Sequence, residues 1–373
     1  MKFVVQVRLF PTPAQEAALA DTLRLCNDAA NLVSGIAWQT KTFRNYDLRR
    51  HTYGQLKDMG LSAQPAQHVI KKVSDAYTTV KAQVKAGLRK PLDRPIAFRP
   101  DAAQPFDDRC LSWQVQERTV SIWTTGGRMK GLRFGCSDDQ ARALAAYRKG
   151  ESDLIHRDGL WLLTATCDVP DVDVTEPDAF LGVDLGIANI ATTSDGTRHC
   201  GKHLNAVRHR NRELRRRLQA KQTKSAKRLL KRRRRKEARF ARDVDHVISK
   251  TIVTEAARTG RGIALEDLQG IRERVRLRRP QRVTLHSWSF HQLGAFVAYK
   301  AARSGVAVMY VDPAYTSQGC SACGHIDRRN RPNQETFSCT SCGFAEHADV
   351  NAARNIAARG VAGWAAVMQP HAA

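Results

Sequence analysis

Seven residues hold the clearest capacity for chemistry: four cysteines in two close pairs and three carboxylates spread along the second half of the chain. Cys320, Cys323, Cys339 and Cys342 read C-x2-C, fifteen residues, C-x2-C, with Gly324 and Gly343 just after each pair. That is the spacing of a four-cysteine zinc ribbon, in which two knuckles present their thiolates tetrahedrally. Four thiolates leave no open coordination position, so the zinc is expected to staple a small domain that lacks a core rather than to catalyse. The carboxylates are Asp184 in LGVDLGIANIATTSDG, Glu266 beside Asp267 in RGIALEDLQG, and Asp349 in HADVNAARNIAARG. Singly each has a plain reading: Asp184 a polar strand end, Glu266 or Asp267 a turn or cap, Asp349 a helix N-cap.

Together they suggest more. Two carboxylates at the ends of apolar strands and a third at a helix start are how an RNase H-like fold assembles a site for two divalent metals about 3.5–4 Å apart, one activating water and the other stabilising the leaving oxygen of a phosphodiester. Hard carboxylate oxygens suit magnesium. Gly182 and Gly186, on either side of Asp184, are expected to clear space for a phosphate backbone.

The elements that must position these residues follow from periodicity. KFVVQVRLF alternates as a strand and stops at Pro11, after which Leu19, Leu23, Ala29, Leu32, Val33 and Ile36 keep helical spacing. A second helical stretch, AQHVIKKVSDAYTTVKAQVKAG, ends at glycine. From about residue 94 to 168 short β-like runs separated by Gly, Asp and Pro predict a small β-domain, EPDAF reads as a linker, and LGVDLGIANIATT opens a new unit. Tyr53, Tyr77 and Trp123 could stack on bases, but core packing is the expected role. Cys26, Cys110, Cys136, Cys167 and Cys200 are scattered singly, which is not how a disulfide framework is spaced.

The chain has 373 residues, a formal net charge of +25 and a pI near 10.2, so its natural partner is a polyanion. Residues 202–239 carry 18 Lys and Arg against two Glu, a net +16. Leu204, Leu214, Leu218, Leu229, Leu230 and Phe240 interrupt the charges, and the stretch runs on without Pro or Gly into an apolar stripe of Val244, Val247, Ile248 and Ile252. An ordered basic helical segment over 202–260 is therefore expected, with Arg215, Arg216, Arg217, Lys231, Arg232, Arg233, Arg234 and Arg235 as candidate phosphate contacts. No apolar run reaches the roughly 18 residues needed to cross a bilayer, and the N-terminus has no secretory h-region, so a cytoplasmic protein without membrane contact is expected.

GVDLGIANIATTSDG, ALEDLQG and the cysteine pairs followed by HADVNAARNI, in that order, resemble the split RuvC nuclease domain with inserted zinc ribbon of the TnpB family, transposon-encoded relatives of type V CRISPR effectors. The resemblance extends over nearly the whole chain. It implies an α+β multidomain protein: an N-terminal strand and helical recognition segment (1–93), a β-rich, β-barrel-like nucleic-acid-binding segment (94–176), a RuvC-like RNase H-like nuclease domain (177–315) with the basic helices, a zinc ribbon (316–346), and a last helix and tail (347–373). It further implies Asp184, Glu266 and Asp349 as catalytic ligands of two Mg²⁺, the four cysteines on one Zn²⁺, and a guide RNA, one protein chain per guide, that directs cleavage of double-stranded DNA beside a short flanking motif. Many relatives have Arg just before the last aspartate, where this chain has Ala348, so one positive contact near the scissile phosphate is missing from that position. Two other functions stay open: a nuclease-inactive RNA-guided repressor, against which the intact trio speaks, and a DNA-strand transferase, which would use a similar trio.

Overall fold

The N-terminal strand finds its partners far downstream. In the computed structural model, which describes residues 1–233, 236–268 and 290–368, the chain divides into two units, Met1–Pro170 and the residues from Asp171 on. In the first, β1 (Lys2–Leu9) pairs antiparallel with β7 (Leu160–Asp168) from Lys2↔Asp168 to Arg8↔Leu162, and its end pairs with β5 (Gly127–Gly135). With β2 (Gln104–Phe106), β3 (Leu111–Gln114), β4 (Thr119–Thr124) and β6 (Arg148–Arg157) these make a seven-stranded sheet in the order β2-β6-β7-β1-β5-β4-β3. The end strands β2 and β3, of three and four residues, are not paired with each other, so the sheet is open where a barrel-like closure was expected. The N-terminal strand thus belongs to the β-rich layer, and the helices are an insertion into it. These are α1 (Pro13–Thr40), α2 (Asn45–Asp58) and α3 (Ala63–Lys85), which bury Cys26, Val33, Leu48, Leu56, Val69 and Ile70 among themselves. Tyr77 is buried there with its hydroxyl 3.0 Å from that of Ser34, and Tyr53 and Trp123 pack half-buried on the same cluster, so all three aromatics serve packing. A short helix, α4 (Asp138–Tyr147), interrupts the strands, started by a capping box between Ser137 and Gln140.

Two apolar runs that each end in an acid, FLGVD and GIALE, organise the second unit. They form β8 (Phe180–Asp184) and, after β9 (Asn189–Thr193) and β10 (Arg198–Cys200), β11 (Gly262–Glu266); each is buried throughout except at its terminal acid. Continuous apolar runs of this kind suit parallel strands covered on both faces. The sheet order is β10-β9-β8-β11-β12, with β9 antiparallel to β8 and β11 parallel to both β8 and β12 (Val308–Val311). Phe180 is buried and opens β8, so the strand takes up the last residue of the expected EPDAF linker.

One face is covered by α7 (Lys236–Arg258) and α8 (Phe290–Arg303) through Ile248, Ile252, Val253, Leu293 and Val297. The other receives α9 (Ala348–Met368), which packs Ile356 and Trp364 against Phe180, Ala264 and Met309. A Cβ on Gly182 would lie 1.9 Å from the carbonyl oxygen of Ala353 and 2.5 Å from the nitrogen of Ala357, and one on Gly186 would lie 2.6 Å from the carbonyl oxygen of Asn189. Both glycines are therefore required by protein backbone, α9 in one case and the β8–β9 turn in the other. The expected clearance for phosphate is not their role.

The basic segment is helical but not continuous. It runs as α5 (Lys202–Lys221), turns at Gln222 with φ +50°, and resumes as α6 (Lys224–Arg233), where the Thr223 hydroxyl accepts from the Ala226 amide. Val247, placed in the apolar stripe by spacing, is 67% exposed; the buried face of α7 runs instead through Ala241, Ile248, Ile252 and Ala256.

Gly182→Ala forces a methyl into the helix backbone, where no rotamer can move it aside. It is expected to lower stability by about 2–3 kcal/mol or more, as overpacking in a rigid core does, measured by chemical denaturation of the full chain. A variant within experimental error of the wild type would show that α9 does not sit on β8 in this way.

Candidate metal centres

Parallel register brings two of the three carboxylates together. Leu265 is paired with Val183, so Glu266 and Asp184 follow as the next residues on adjacent strands and leave the sheet at the same end. The third, Asp349, lies in the first turn of α9 and is 7% exposed. Its Oδ2 accepts from Asn189 Nδ2 at 2.9 Å, its Oδ1 from Arg331 Nη2 at 3.0 Å, and its own amide donates to His347 Nδ1 at 3.2 Å. Glu266 Oε1 accepts from the Thr316 hydroxyl. Asp267, the alternative to Glu266, instead gives its amide to the Val311 carbonyl oxygen at 2.8 Å, continuing the ladder with β12.

Burial and like charge govern the electrostatics. Burial above all, with Glu266 and Asp349 adding repulsion, pushes the Asp184 carboxyl up to about 8, against a smaller pull from Arg331. Glu266 is also raised, by burial, while the Thr316 hydrogen bond, Arg359 and Arg331 act the other way. A set of acids held this close and this dry asks for a cation. Arg331 supplies one from within the chain. Sequence reasoning missed it, along with Asn189 and Thr316, because its ion pair with Asp349 crosses the whole second cysteine knuckle; the surrounding run RRNR was the available signal. Ala348, just before Asp349, is fully buried with Cys320, Phe337 and Cys339.

The donor set fits hard divalent ions. The three carboxylates offer the hard oxygen donors that divalent ions such as magnesium take.

In the ribbon, Cys320 Sγ is 3.7 Å from Cys342 Sγ and Cys323 Sγ is 3.6 Å from Cys339 Sγ. Zinc–sulfur bonds of about 2.3 Å at the tetrahedral angle place sulfurs about 3.8 Å apart, so the four match one zinc ion. The amide N–H of Cys342 foremost, and that of Ser341, hold the Cys339 thiol down at about 6, the thiolate form that metal requires. Ribbon and helix share side chains: Asn351 Nδ2 donates to the Gly319 carbonyl oxygen at 2.8 Å and its Oδ1 accepts from the Ser321 amide at 2.9 Å, while Asn355 Nδ2 donates to the carbonyl oxygens of Thr316 and Gly319, both at 2.8 Å.

Of the expected phosphate contacts, Arg215, Arg216, Arg217, Lys231, Arg232 and Arg233 are exposed on α5 and α6; Arg215 pairs with Glu237 at 3.3 Å and Arg216 with Glu213 at 3.1 Å. Arg234 and Arg235 lie outside the described residues. Among the described residues no helix is long and apolar enough to cross a membrane.

Residues 165–270 match the OrfB_IS605 family, described as "Probable transposase", and residues 290–356 match the "Cas12f1-like, TNB domain". The chain is 35% identical over 232 residues to the CRISPR-associated endodeoxyribonuclease Cas12f1 of Sulfoacidibacillus thermotolerans, covering 57% of this chain and 53% of that protein. It is 37% identical over 124 residues to the TnpB-like protein MJ0751 of Methanocaldococcus jannaschii, covering 32% of this chain and 43% of that protein. Over these segments the chain is similar to the OrfB_IS605 transposase family and to TnpB-like proteins. It spans about half the length of the curated relatives it matches. The Cas12f1 of a Cas12f1–sgRNA–target DNA complex has the same fold as this chain at a TM-score of 0.54 and 17% identity, over 91% of this chain and 82% of that one.

Two outcomes are expected of these centres. Since the Asp184 carboxyl sits at about 8 in the fold against 3.8 ordinarily, the native state prefers it protonated, and without divalent metal the wild type loses stability as pH rises through that window. Asp184→Asn removes that loss: its melting temperature should exceed the wild type's by several degrees at pH 8, match it below about pH 4, and lose the advantage when Mg²⁺ is added. A wild type more stable than the variant at pH 8 without metal contradicts this. Separately, Cys339→Ser should hold one zinc ion fewer than the wild type by elemental analysis and speed amide exchange over residues 348–356, because in such small sites metal binding is folding energy. Unchanged zinc content would remove the ribbon assignment.

Proposed function

We propose that this chain is an RNA-guided DNA endonuclease of a transposable element, cutting DNA in a RuvC-like, RNase H-like domain by two-metal phosphodiester hydrolysis. The observation that carries the reading is the meeting of Asp184 and Glu266 at adjacent strand ends with Asp349 at the head of α9. A sheet with an antiparallel meander, β8-β9-β10, followed by parallel strands and flanked by helices on both faces, is the layout an RNase H-like nuclease needs. Asp184, Glu266 and Asp349 would hold two Mg²⁺, which when bound would activate the attacking water and stabilise the leaving oxygen. Thr316 orients Glu266, Asn189 orients Asp349, and Arg331 offers a guanidinium able to grip a scissile phosphate once metal has taken its place beside Asp349.

The partners follow from charge and kinship. Target sequence would be read by pairing with a guide RNA, and the exposed Arg217, Lys231 and Arg232, with Arg215 and Arg216 exchanging glutamate for phosphate, would hold the nucleic-acid backbone. The first unit would grip the guide and the flanking duplex. The endonuclease names of relatives support cutting over strand transfer, and the intact trio supports it over a nuclease-inactive repressor.

The test is Asp184→Ala, Glu266→Ala and Asp349→Ala, each assembled with guide RNA and assayed for target cleavage in Mg²⁺ and for target binding by gel shift. Cleavage should fall by roughly 10³-fold or more while binding persists, since affinity rests on pairing and phosphate contacts. Near wild-type cutting by Asp184→Ala, or loss of binding and folding together with cutting, would return Asp184 to a structural role.

A further inference from the structure

A second group of ligating side chains lies in the first unit, away from the carboxylates and the ribbon. The turn between β2 and β3 carries Asp107 and Cys110, and α3 brings His68 against it; His68 and Cys110 are each 3% exposed. One nitrogen of His68, one oxygen of Asp107 and the sulfur of Cys110 all fall within 4.8 Å of one another. His68 Nε2 stands 3.6 Å from Asp107 Oδ2. That is longer than an N–H···O hydrogen bond, about 2.7–3.2 Å, and matches two ligands on one tetrahedral ion, which bonds of about 2.0–2.2 Å put about 3.3–3.6 Å apart.

The space between those two atoms is held by a donor. The Gln64 side-chain nitrogen is 2.7 Å from Asp107 Oδ2 and 3.3 Å from His68 Nε2, so a polarised N–H group bridges two acceptors where a cation would sit. The turn itself repeats the ribbon's design. Asp107 Oδ1 accepts from the amides of Arg109 and Cys110 at 3.1 and 3.2 Å, two and three residues on, just as Cys339 Sγ accepts from the amides of Ser341 and Cys342, both at 3.4 Å. Asp107 and Cys110 also share the three-residue step that separates the ligands within each ribbon knuckle.

We propose that His68, Asp107 and Cys110 form a second zinc site, entered when the Gln64 amide swings aside. An imidazole, a carboxylate and a thiolate make a donor set for zinc; magnesium would not take the sulfur. Binding releases the Cys110 thiol proton to solvent and ties α3 to the edge of the sheet through a short turn. Sequence reading could not reach this site because Cys110 stands alone and His68 lies in a different helical segment.

Full-length protein produced with zinc and desalted should contain about two zinc ions per chain, whereas Cys110→Ser and His68→Gln should each contain one while keeping the wild-type far-UV dichroism. Cys339→Ser should likewise retain one, at this second site. In the wild type alone, cobalt(II) added to metal-free protein should raise the thiolate-to-cobalt absorption in two steps, a large one from the ribbon and a smaller one from the single Cys110 sulfur. A wild type that takes up one ion only, or a Cys110→Ser or His68→Gln variant that holds as many ions as the wild type, overturns the site and leaves a hydrogen-bonded Gln–His–Asp cluster.

Discussion

The approach of α9 to β8 at Gly182 is the contact on which the second unit depends. Helix backbone lies directly on strand backbone there, at a distance that excludes even a methyl group. Because α9 begins at Ala348, that contact sets the position of Asp349 along the axis of β8 and so its distance from Asp184 at the strand's end. Gly360 repeats the device farther along, where a Cβ would lie 2.6 Å from the Ala264 Cβ on β11. Small residues at both points fix helix height and tilt, much as knobs fix a coiled-coil seam, and the three carboxylates inherit that precision.

What the contact assembles is unfavourable by itself. Three acids in a partly dry site repel one another, and Asp184 carries the largest share because it is raised by burial and by both neighbours. Such strain persists only because the surrounding core over-determines the geometry. Leu181 and Val183 are fully buried on β8, as are Ile263 and Leu265 on β11, so neither strand can slide to relieve its acid. Arg331 offsets part of the repulsion. It comes from the ribbon, while the position just before Asp349, Ala348, is buried in the ribbon's core.

How much was legible follows the range of each interaction. The strand ends at Asp184 and Glu266 were readable because apolar runs closing on an acid report burial and exit from a sheet locally, and the cysteine knuckles because their spacing is itself the geometry. Choosing Glu266 over Asp267 needed the alternation of faces along β11, which an apolar run on both faces conceals. Gly182 and Gly186 were conspicuous but misread, since a glycine announces a close approach without naming what approaches. The basic stretch lacks Pro and Gly, so nothing local announced the turn at Gln222, a left-handed residue tolerated at a helix end. Val247 was assigned to the wrong face because several residues keep helical spacing and only packing selects among them. The pairing of β1 with β7, and of Arg331 with Asp349, are long-range facts with no local signature.

The ribbon's place in the chain has its own physical reason. The segment between β12 and α9 must cross from one strand end to the start of a helix on the opposite face, and left as loop it would have no apolar mass to hold it. Its core is little more than Phe337 and Ala348 beside two of its own cysteines. A tetrahedral ion held by the four cysteines would replace the missing core and remove the freedom of the connection. Order then passes outward through polar contacts: Asn351 and Asn355 bind the first knuckle to α9, Asn355 also holds the Thr316 carbonyl, and Thr316 turns its hydroxyl to Glu266. One ion bound there would thereby set two of the three carboxylates without touching either, and the third stands on the strand against which the same helix is pressed.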